Sequence, residues 1–361
     1  MIPVLRARLL RATLLGTPLL RALIGTPSNA AITLVVGGLL GWALPGLWRW
    51  GVAGATWVAV NRRGCAPDGA CWAFIRARIG LFFYGGYPLA DQWRVDAAAL
   101  LMAAAMLGCL FAQRYRFAWF ATLLLGAPAL CGVLLLGGVV GLPFVPTSSW
   151  GGLMLNVVLS FTTVAGAIPL GIALAFGRRS RLPFVSAVCT AIIEFWRGVP
   201  LLAILFMGLV LLPMVLPGGM TLDIMLRALV VLTLSTSAFM AEVVRGGLQG
   251  VPHGQSEAAA ALGLHTLQAN ITVVLPQAMR VALPGIVNVV VDLFKDTALV
   301  SVVGLFDLMG VVNQSIKDQN WLGLANEGYA FAALLFFACC LVLSLVGSLL
   351  ERRLNQEAAP R

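Results

Sequence analysis

GGLMLNVVLSFTTVAGAIPLGIALAF, which occupies residues 151–176, contains no charged side chain. A helix needs about 20 consecutive apolar residues to cross the hydrocarbon core of a bilayer. This run is longer than that, so it predicts a transmembrane helix.

The composition of the whole chain repeats this signature. Hydrophobic residues make up 60% of the 361 residues and charged residues 11%, and the mean hydropathy is +0.95. A water-soluble domain could not bury so much apolar surface. The predicted fold is therefore an all-α, multi-pass membrane protein. Apolar runs predict about eight spans, at 30–48, 96–112, 118–140, 151–176, 199–217, 224–243, 278–303 and 329–350.

Basic residues set the predicted orientation. The formal net charge is +10, and the arginines lie mostly in short segments between spans. That pattern favours the positive-inside rule over binding of nucleic acid. Placing the connectors near 114–116, 177–181 and 352–353 in the cytoplasm leaves both termini there. Residues 1–28 lack a signal-peptide cleavage site, so they are expected to form a cytoplasmic tail, as are residues 351–361.

One predicted loop disagrees with that orientation. Residues 49–94 must then be periplasmic, although they carry six arginines against two aspartates. The rule weakens in long loops, and the opposite choice would invert every other connector. Cys65 and Cys71 lie six positions apart in this loop. An oxidising periplasm would permit a disulfide between them, and two free thiols are the alternative.

The fifth span carries an interruption. Residues 182–217 are too long for a single crossing at about 1.5 Å per residue, and the stretch EFWRGVP interrupts them at 194–200. The residue before a proline is biased away from the helix. We therefore expect an interfacial or tilted helix before Pro200 and a membrane span after it.

A polar-leaning segment separates the sixth and seventh spans. Residues 245–278 read RGGLQGVPHGQSEAAAALGLHTLQANITVVLPQA. Residue propensities predict a short alanine-faced helix over 255–262, a turn at Gly263 and a second helix from about Thr266. Alanines would let a partner approach closely, and Glu257 could orient that contact. An ordinary cytoplasmic loop is the alternative.

This segment resembles the EAA loop of ABC-importer permeases, which reads EAA, three residues, Gly, nine residues, Ile-x-Leu-Pro. Here EAA at 257–259 is followed at the same spacings by a glycine and by VVLP at 273–276, with Val273 replacing the isoleucine. The resemblance implies a coupling helix that docks into a groove of a separate ATPase subunit. The residues that it implicates are Glu257, Ala258, Ala259, Gly263, Leu275 and Pro276.

Further stretches narrow the resemblance. EFWRGVPLL (194–202), AEVVRGGLQGVPHGQSEAAAALG (241–263) and LFKDTALVSVVGLFDL (293–308) are similar to the polar amino-acid branch, which includes histidine, glutamine, arginine and general L-amino-acid permeases. GACWAFIRARIG (69–80) is similar to one of the two long permeases of the general L-amino-acid importer.

This family implies an architecture and a set of partners. The expected architecture is a five-helix type I importer permease core at 150–350, with a coupling loop at 250–276, and an N-terminal extension of about three spans at 29–149. The expected location is the bacterial inner membrane. The expected partners are ABC ATPase subunits, a periplasmic amino-acid-binding protein and a second permease, which the long-permease resemblance favours as a paralogue in a heterodimer.

The chain is expected to bind no cofactor and to have no ATPase site of its own. The phosphate-cradling motif G-x-x-x-x-G-K-[ST] does not occur, since neither Lys295 nor Lys317 follows a glycine. ATP should therefore be used by the partner subunit. No metal site is expected either, because His253 and His265 are twelve residues apart without further ligands nearby.

Charged residues inside the spans are the candidates for a translocation path or its gating. Asp292, Lys295 and Asp296 share one helix face. They would be costly against lipid, so they are expected to face protein or a water-filled cavity. Direct substrate contact, gating or packing between subunits, and a structural ion pair all remain open for these three residues.

Two other charged pairs lie near span ends. Glu194 and Arg197 are a second candidate pair for the path, near the cytoplasmic interface, whereas Glu242 and Arg245 are expected to close the sixth helix. The alternative function is a secondary, ion-coupled transporter of small polar solutes that uses the charged face at 292–296. It is disfavoured because the spans show no inverted repeat. The transported amino acid and the role of the first three spans stay open.

Overall fold

The computed structural model describes residue 23 and residues 25–111, 126–139, 141–215 and 222–358. These described residues form helices and isolated bridges, without a β-strand. The chain divides into two compact units, Met1–Arg76 and Ala77–Arg361.

The first unit contains a solitary apolar helix. Helix α1, Pro27–Trp48, begins where the Thr26 hydroxyl accepts a hydrogen bond from the Asn29 amide at 3.1 Å, and it continues as a π-helix over Arg49–Ala53. None of its residues is buried within the described part of the chain. Such a helix is stable only with lipid or a partner around it.

Helix α2, Trp72–Tyr84, crosses the division between the units. It lies inside the segment 49–94, which the sequence predicts to connect two membrane spans. The connecting segment therefore contains a helix of 13 residues, and its periplasmic location stays a prediction.

The second unit is a bundle of helices. Their bounds are α3 Gln92–Phe111, α4 Ala127–Leu136, α5 Gly152–Arg178, α6 Pro183–Gly198, α7 Leu201–Val215, α8 Ile224–Gln249, α9 His253–Ala261, α10 Leu275–Asp296, α11 Leu308–Ser315 and α12 Ala325–Ala358.

Four helical segments in the described part of the chain are long and apolar enough to cross a membrane: Pro27–Ala53, Gly152–Arg178, Ile224–Gln249 and Ala325–Leu354. Helices α6 and α7, which are bent by 101° at the break between them, are long and apolar enough to count as a fifth when taken together as one broken span. That bend confirms the predicted interruption before Pro200. The predicted span 278–303 is α10 followed by a 3₁₀-helix, Thr297–Val303. Residues 118–125 and 140 of the predicted span 118–140 lie outside the described residues, and the described part of that span contains α4.

Two hydrophobic clusters hold the bundle together. One joins α3, α4, α5, α7 and α8 with the segment after α10, and the other joins α5, α6, α8 and α10. Glycines permit the closest crossings: a Cβ on Gly171 of α5 would lie 2.7 Å from the Met240 Cβ of α8. Because α3 and α4 pack in the same unit as α5, the compact units do not divide the chain at residue 150. The division between extension and core stays a prediction.

A buried polar network fixes the end of the bundle at which α5 begins. The Asn156 amide donates to the Thr297 hydroxyl at 2.9 Å and to the Asp307 carboxylate at 3.1 Å, and Asp307 caps α11 by accepting from the Gly310 amide at 2.9 Å. Asp307 lies in the connection after α10, outside the membrane-spanning helices. Burial raises the pKa of its carboxyl to about 6, although its hydrogen bonds oppose that shift.

Two arginines of the segment 49–94 have hydrogen-bond or ion-pair partners inside the second unit. Arg94, fully buried at the start of α3, donates to the carbonyls of Leu134, Leu135 and Pro143. Arg78 pairs with Asp318. The excess of positive charge in this segment is therefore smaller at the surface than in the sequence.

Candidate coupling and translocation site

Helix α9 forms an exposed turn between α8 and α10. It follows Pro252 and ends at Ala261, two residues before Gly263, which has a φ of +80°. The Gly263 amide donates to the Ala260 carbonyl at 3.0 Å and the Leu264 amide to the Ala259 carbonyl at 3.2 Å. The short helix over 255–262 and its glycine stop are thereby confirmed to within two residues. A second helical turn begins at Thr266, as predicted.

The exposed face of α9 contains the acidic residue of the EAA motif. Glu257 and Ala258 are exposed, whereas Ala259 is buried at 3% exposure and anchors the helix to the bundle. Leu262 is 81% exposed and Leu267 is 63% exposed beside it. Two large leucines on a polar connector form an apolar patch of the kind that a partner protein covers.

The segment that returns from α9 to the bundle is hydrogen-bonded to α9. Gln277 donates to the Gln255 side chain at 3.1 Å, which connects the first turn of α10 to α9. Leu275 is half-buried and Pro276 is exposed at the start of α10, where a proline costs no hydrogen bond. The six residues implicated by the EAA resemblance therefore lie within one continuous turn, helix and return, rather than on one surface.

A cluster of five charged side chains lies where α8 approaches this turn. We name Arg178, Glu194, Arg197, Glu242 and Arg245 the Glu242 cluster. The Glu242 carboxylate lies 2.6 Å from Arg178 Nη1, 2.8 Å from Arg245 Nη2 and 3.7 Å from Arg197 Nη1. Arg178 also reaches Glu194 at 3.0 Å. One half-buried carboxylate thus joins the ends of α5, α6 and α8.

From the sequence, these charged residues were predicted to form two separate pairs. Glu242 with Arg245 was expected to close a helix, and Glu194 with Arg197 to be a candidate for the path. The structure brings both pairs together through Arg178, which the sequence analysis assigned only to a basic connector. The three-residue spacings within α6 and α8 were visible in the sequence, but the bridge between the helices was not.

The charged face of α10 is open on this chain. Lys295 Nζ lies 2.8 Å from the Asp292 carboxylate, and the two side chains are 55% and 67% exposed. Asp296 is half-buried. Asp292 is thus an ion-pair partner of Lys295, and the roles left open for these three residues stay open. The described residues leave this pair largely uncovered.

Comparisons with known proteins agree with this geometry. The family described as "Binding-protein-dependent transport system inner membrane component" matches residues 167–356, which include α6 to α12. The chain is 42% identical over 338 residues to the inner membrane amino-acid ABC transporter permease protein YhdY of Escherichia coli, covering 92% of this chain and 91% of that protein.

Other relatives extend the comparison. The glutamate/glutamine/aspartate/asparagine transport system permease protein BztC of Rhodobacter capsulatus is 34% identical over 399 residues, with 92% of each chain covered. A solved structure of an amino acid ABC transporter with histidines covers 56% of this chain and 92% of its own, at 32% identity and a TM-score of 0.49.

The family match and the similarity to relatives over most of their length assign the chain to one family. More than half of the chain lies in the family domain, and its apolar helices are those of a multi-pass membrane protein. The chain therefore belongs to the family of binding-protein-dependent transport system inner membrane components, as the permease subunit of an ABC importer.

Proposed function

We propose that this permease carries polar L-amino acids across the inner membrane and is driven by a separate ATPase that docks on α9. The amino-acid substrate is supported by the two relatives that share 92% of the chain, because both are named as amino-acid permeases. Which amino acids are transported depends partly on the binding protein that delivers them.

The observation that carries the coupling role is the exposed α9 with its two uncovered leucines. A helix of small residues lets a partner's backbone approach, the carboxylate of Glu257 gives that contact an orientation, and Leu262 and Leu267 supply apolar area. Gly263 ends the helix in a left-handed conformation that a residue with a Cβ adopts only at a cost.

ATP is proposed to be bound and hydrolysed by the partner. The absence of a phosphate-cradling loop from the sequence supports this division of labour. This chain would then change conformation during transport, and it would not hydrolyse ATP itself. α8 leads directly into α9, so a displacement of α9 acts on the helix that carries Glu242.

We place α9 and both termini in the cytoplasm. The basic residues around 178–181 and 352–353 support that side through the positive-inside rule. The disulfide between Cys65 and Cys71, whose Cα atoms lie 5.6 Å apart, supports a periplasmic location of the segment after α1, because disulfides persist in oxidising compartments.

A second permease is proposed to cover the open face of α10. Asp292 and Lys295 would each be costly against hydrocarbon, yet both are largely exposed on this chain. A second permease, a paralogue by the long-permease resemblance, would place this pair at a shared path that contains water. There the pair would contact substrate, gate the path or pack between subunits. Glu194 and Arg197 would lie at the cytoplasmic end of that path.

The decisive substitution is Gly263→Asp, with Gly323→Asp as its control. Both glycines have positive φ angles, of +80° and +89°, and neither has an atom within 4 Å of a Cβ position. The strain is therefore similar, whereas only Gly263 lies at the proposed docking surface. We expect Gly263→Asp to abolish ATP-dependent uptake while the protein stays in the membrane, and Gly323→Asp to retain uptake.

The assay is uptake of radiolabelled amino acids by proteoliposomes that contain the complete transporter, with and without internal ATP. Normal uptake by Gly263→Asp would contradict the docking role of α9. Uptake that needs a proton gradient but no ATP would instead support an ion-coupled transporter.

A further inference from the structure

The segment that follows α1 is folded back onto the end of that helix. The Ala70 amide donates to the Trp50 carbonyl at 2.8 Å, and the Trp72 indole donates to the Gly51 carbonyl at 2.7 Å. The disulfide between Cys65 and Cys71 closes the segment. We name residues 55–71 the disulfide loop. These bonds give it a fixed shape at one end of α1.

The disulfide loop has an apolar tip. Trp57 is 59% exposed, Val58 is 74% exposed and Val60 is 90% exposed. The Trp57 ring lies 6.3 Å from the Trp72 ring, measured between centroids, but the described residues leave most of these three side chains uncovered. An exposed apolar group of this kind marks a contact with a membrane or a partner.

Arginines flank the apolar tip. Arg49, Arg63 and Arg76 are exposed and Arg62 is half-buried. Among the described residues, none of the four forms an ion pair, in contrast to Arg78 and Arg94. Asp68 is the one acidic residue between positions 55 and 76. The positive charge that conflicts with the positive-inside rule is thus concentrated in this part of the first unit.

The position of the loop relative to the membrane follows from α1. A helix of 22 residues is about 33 Å long, which matches the roughly 30 Å thickness of the hydrocarbon core. The end of α1 at Trp48 therefore lies at a water interface, where tryptophan is enriched. Trp50 and Trp72 pack edge to face there, with ring centroids 6.0 Å apart. The disulfide loop is hydrogen-bonded to this end, so it lies at the membrane surface.

We propose that the disulfide loop is a binding site for anionic phospholipid headgroups. Trp57, Val58 and Val60 enter the boundary between headgroups and acyl chains, and Arg62 and Arg63 bind the phosphates. Lipid fits better than an acidic protein because the loop is continuous with the membrane end of α1. The proposal also explains why arginines are tolerated on this side of the membrane: headgroups of opposite charge retain them there.

The experiment places a fluorescent reporter at the tip. Val60→Cys in the complete transporter is labelled with an NBD maleimide and reconstituted in phosphatidylcholine vesicles with increasing phosphatidylglycerol. Unsubstituted protein carried through the same labelling gives the background from native thiols. We expect NBD emission to shift to the blue and to be quenched by nitroxide-labelled lipid, with quenching that increases with the phosphatidylglycerol fraction.

The charge dependence is tested by adding Arg62→Gln and Arg63→Gln to Val60→Cys. A basic residue near an anionic surface contributes about fivefold in binding, so the double change should weaken docking by roughly 25-fold. Arg352→Gln with Arg353→Gln is the matched control, because it removes two exposed arginines far along the chain. It should leave the quenching unchanged.

Three results would overturn the proposal. NBD emission typical of water in every vesicle would show that the tip does not enter the membrane. Quenching that is equal with and without phosphatidylglycerol, and indifferent to the arginine changes, would show apolar insertion without a headgroup site. A blue shift that appears only when the amino-acid-binding protein is added would assign the surface to that protein. Each readout is independent of uptake, so it stands apart from the transport function.

Discussion

At the scale of single residues, Glu242 is a half-buried carboxylate that pairs with three arginines. Its carboxylate forms ion pairs with Arg178, Arg197 and Arg245, which lie on three different helices. The Glu242 side chain is 16% exposed. Hydrogen bonds to charged groups are stronger than neutral ones, and a deleted partner leaves the others uncompensated. Glu242 therefore determines how the ends of α5, α6 and α8 are held together.

We predict that Glu242→Gln destabilises the permease by about 2 kcal/mol, a value reduced for the partial exposure of its partners. The neutral amide still accepts one hydrogen bond, but its NH₂ group opposes the arginines. Thermal unfolding of the purified transporter should shift down by several degrees.

Glu257→Gln is the control for that change, because it makes the same chemical alteration on an exposed face of α9. It should leave the unfolding temperature unchanged. Equal shifts for the two substitutions would show that the Glu242 cluster does not hold the helix ends together.

At the scale of elements, small residues decide how closely α8 approaches α10. A Cβ on Gly247 would lie 2.4 Å from the Ala278 carbonyl oxygen and 2.8 Å from the Ala282 Cβ. Neither neighbour is the end of a flexible side chain, so the helices would have to separate. Small residues at helix crossings are typical of membrane bundles.

Gly247→Ala should therefore cost about 1–3 kcal/mol by overpacking, even though alanine favours a helix over glycine. Gly246→Ala, at the adjacent position, has no atom within 4 Å of the new Cβ and should stabilise α8 by up to about 1 kcal/mol. The measurement is the unfolding temperature of both variants. Shifts of the same sign would contradict the close crossing of α8 and α10.

At the scale of the whole molecule, Arg94 joins the first part of the second unit into a single packed body. Its guanidinium donates at 2.6 Å to the Leu134 carbonyl, at 3.2 Å to the Leu135 carbonyl and at 3.0 Å to the Pro143 carbonyl. Asp91 lies 3.5 Å away. One buried cation thus attaches α3 to the end of α4 and to the connection that precedes α5.

Arg94→Met should release that connection while the remaining helices stay folded. The loss removes one donor from each of three carbonyls, of which that of Leu135 keeps the Tyr87 hydroxyl as a donor at 2.9 Å, so we expect a local cost of about 3 kcal/mol. Limited proteolysis should then cleave between residues 137 and 146 faster than in the unsubstituted protein. Arg179→Met, at an exposed position, should not change the cleavage rate. An unchanged cleavage rate for Arg94→Met would show that Arg94 does not hold this connection in place.

The predictability of the candidate site differs between its parts. The turn, helix and return at 250–276 follow from glycine, proline and alanine positions, which act on the backbone within a few residues. The Glu242 cluster does not, since Arg178 and Glu242 are 64 positions apart and meet only because α5 crosses α8. Helix α2 was not predicted because its 13 residues are fewer than the roughly 20 apolar residues that indicate a membrane span.

The sequence by itself determined the solvent of this protein, most of its helices, the break before Pro200 and the EAA segment, because hydropathy and backbone preferences act over short distances. Only the tertiary structure decided which charges are paired. Of the six arginines at 49–94, Arg78 and Arg94 are paired within the bundle and the other four form no ion pair in the described part of the chain. Arg78 and Asp318 are 240 positions apart, and the Leu134 and Pro143 carbonyls lie 40 and 49 positions from Arg94, so helix packing alone brings these groups into contact.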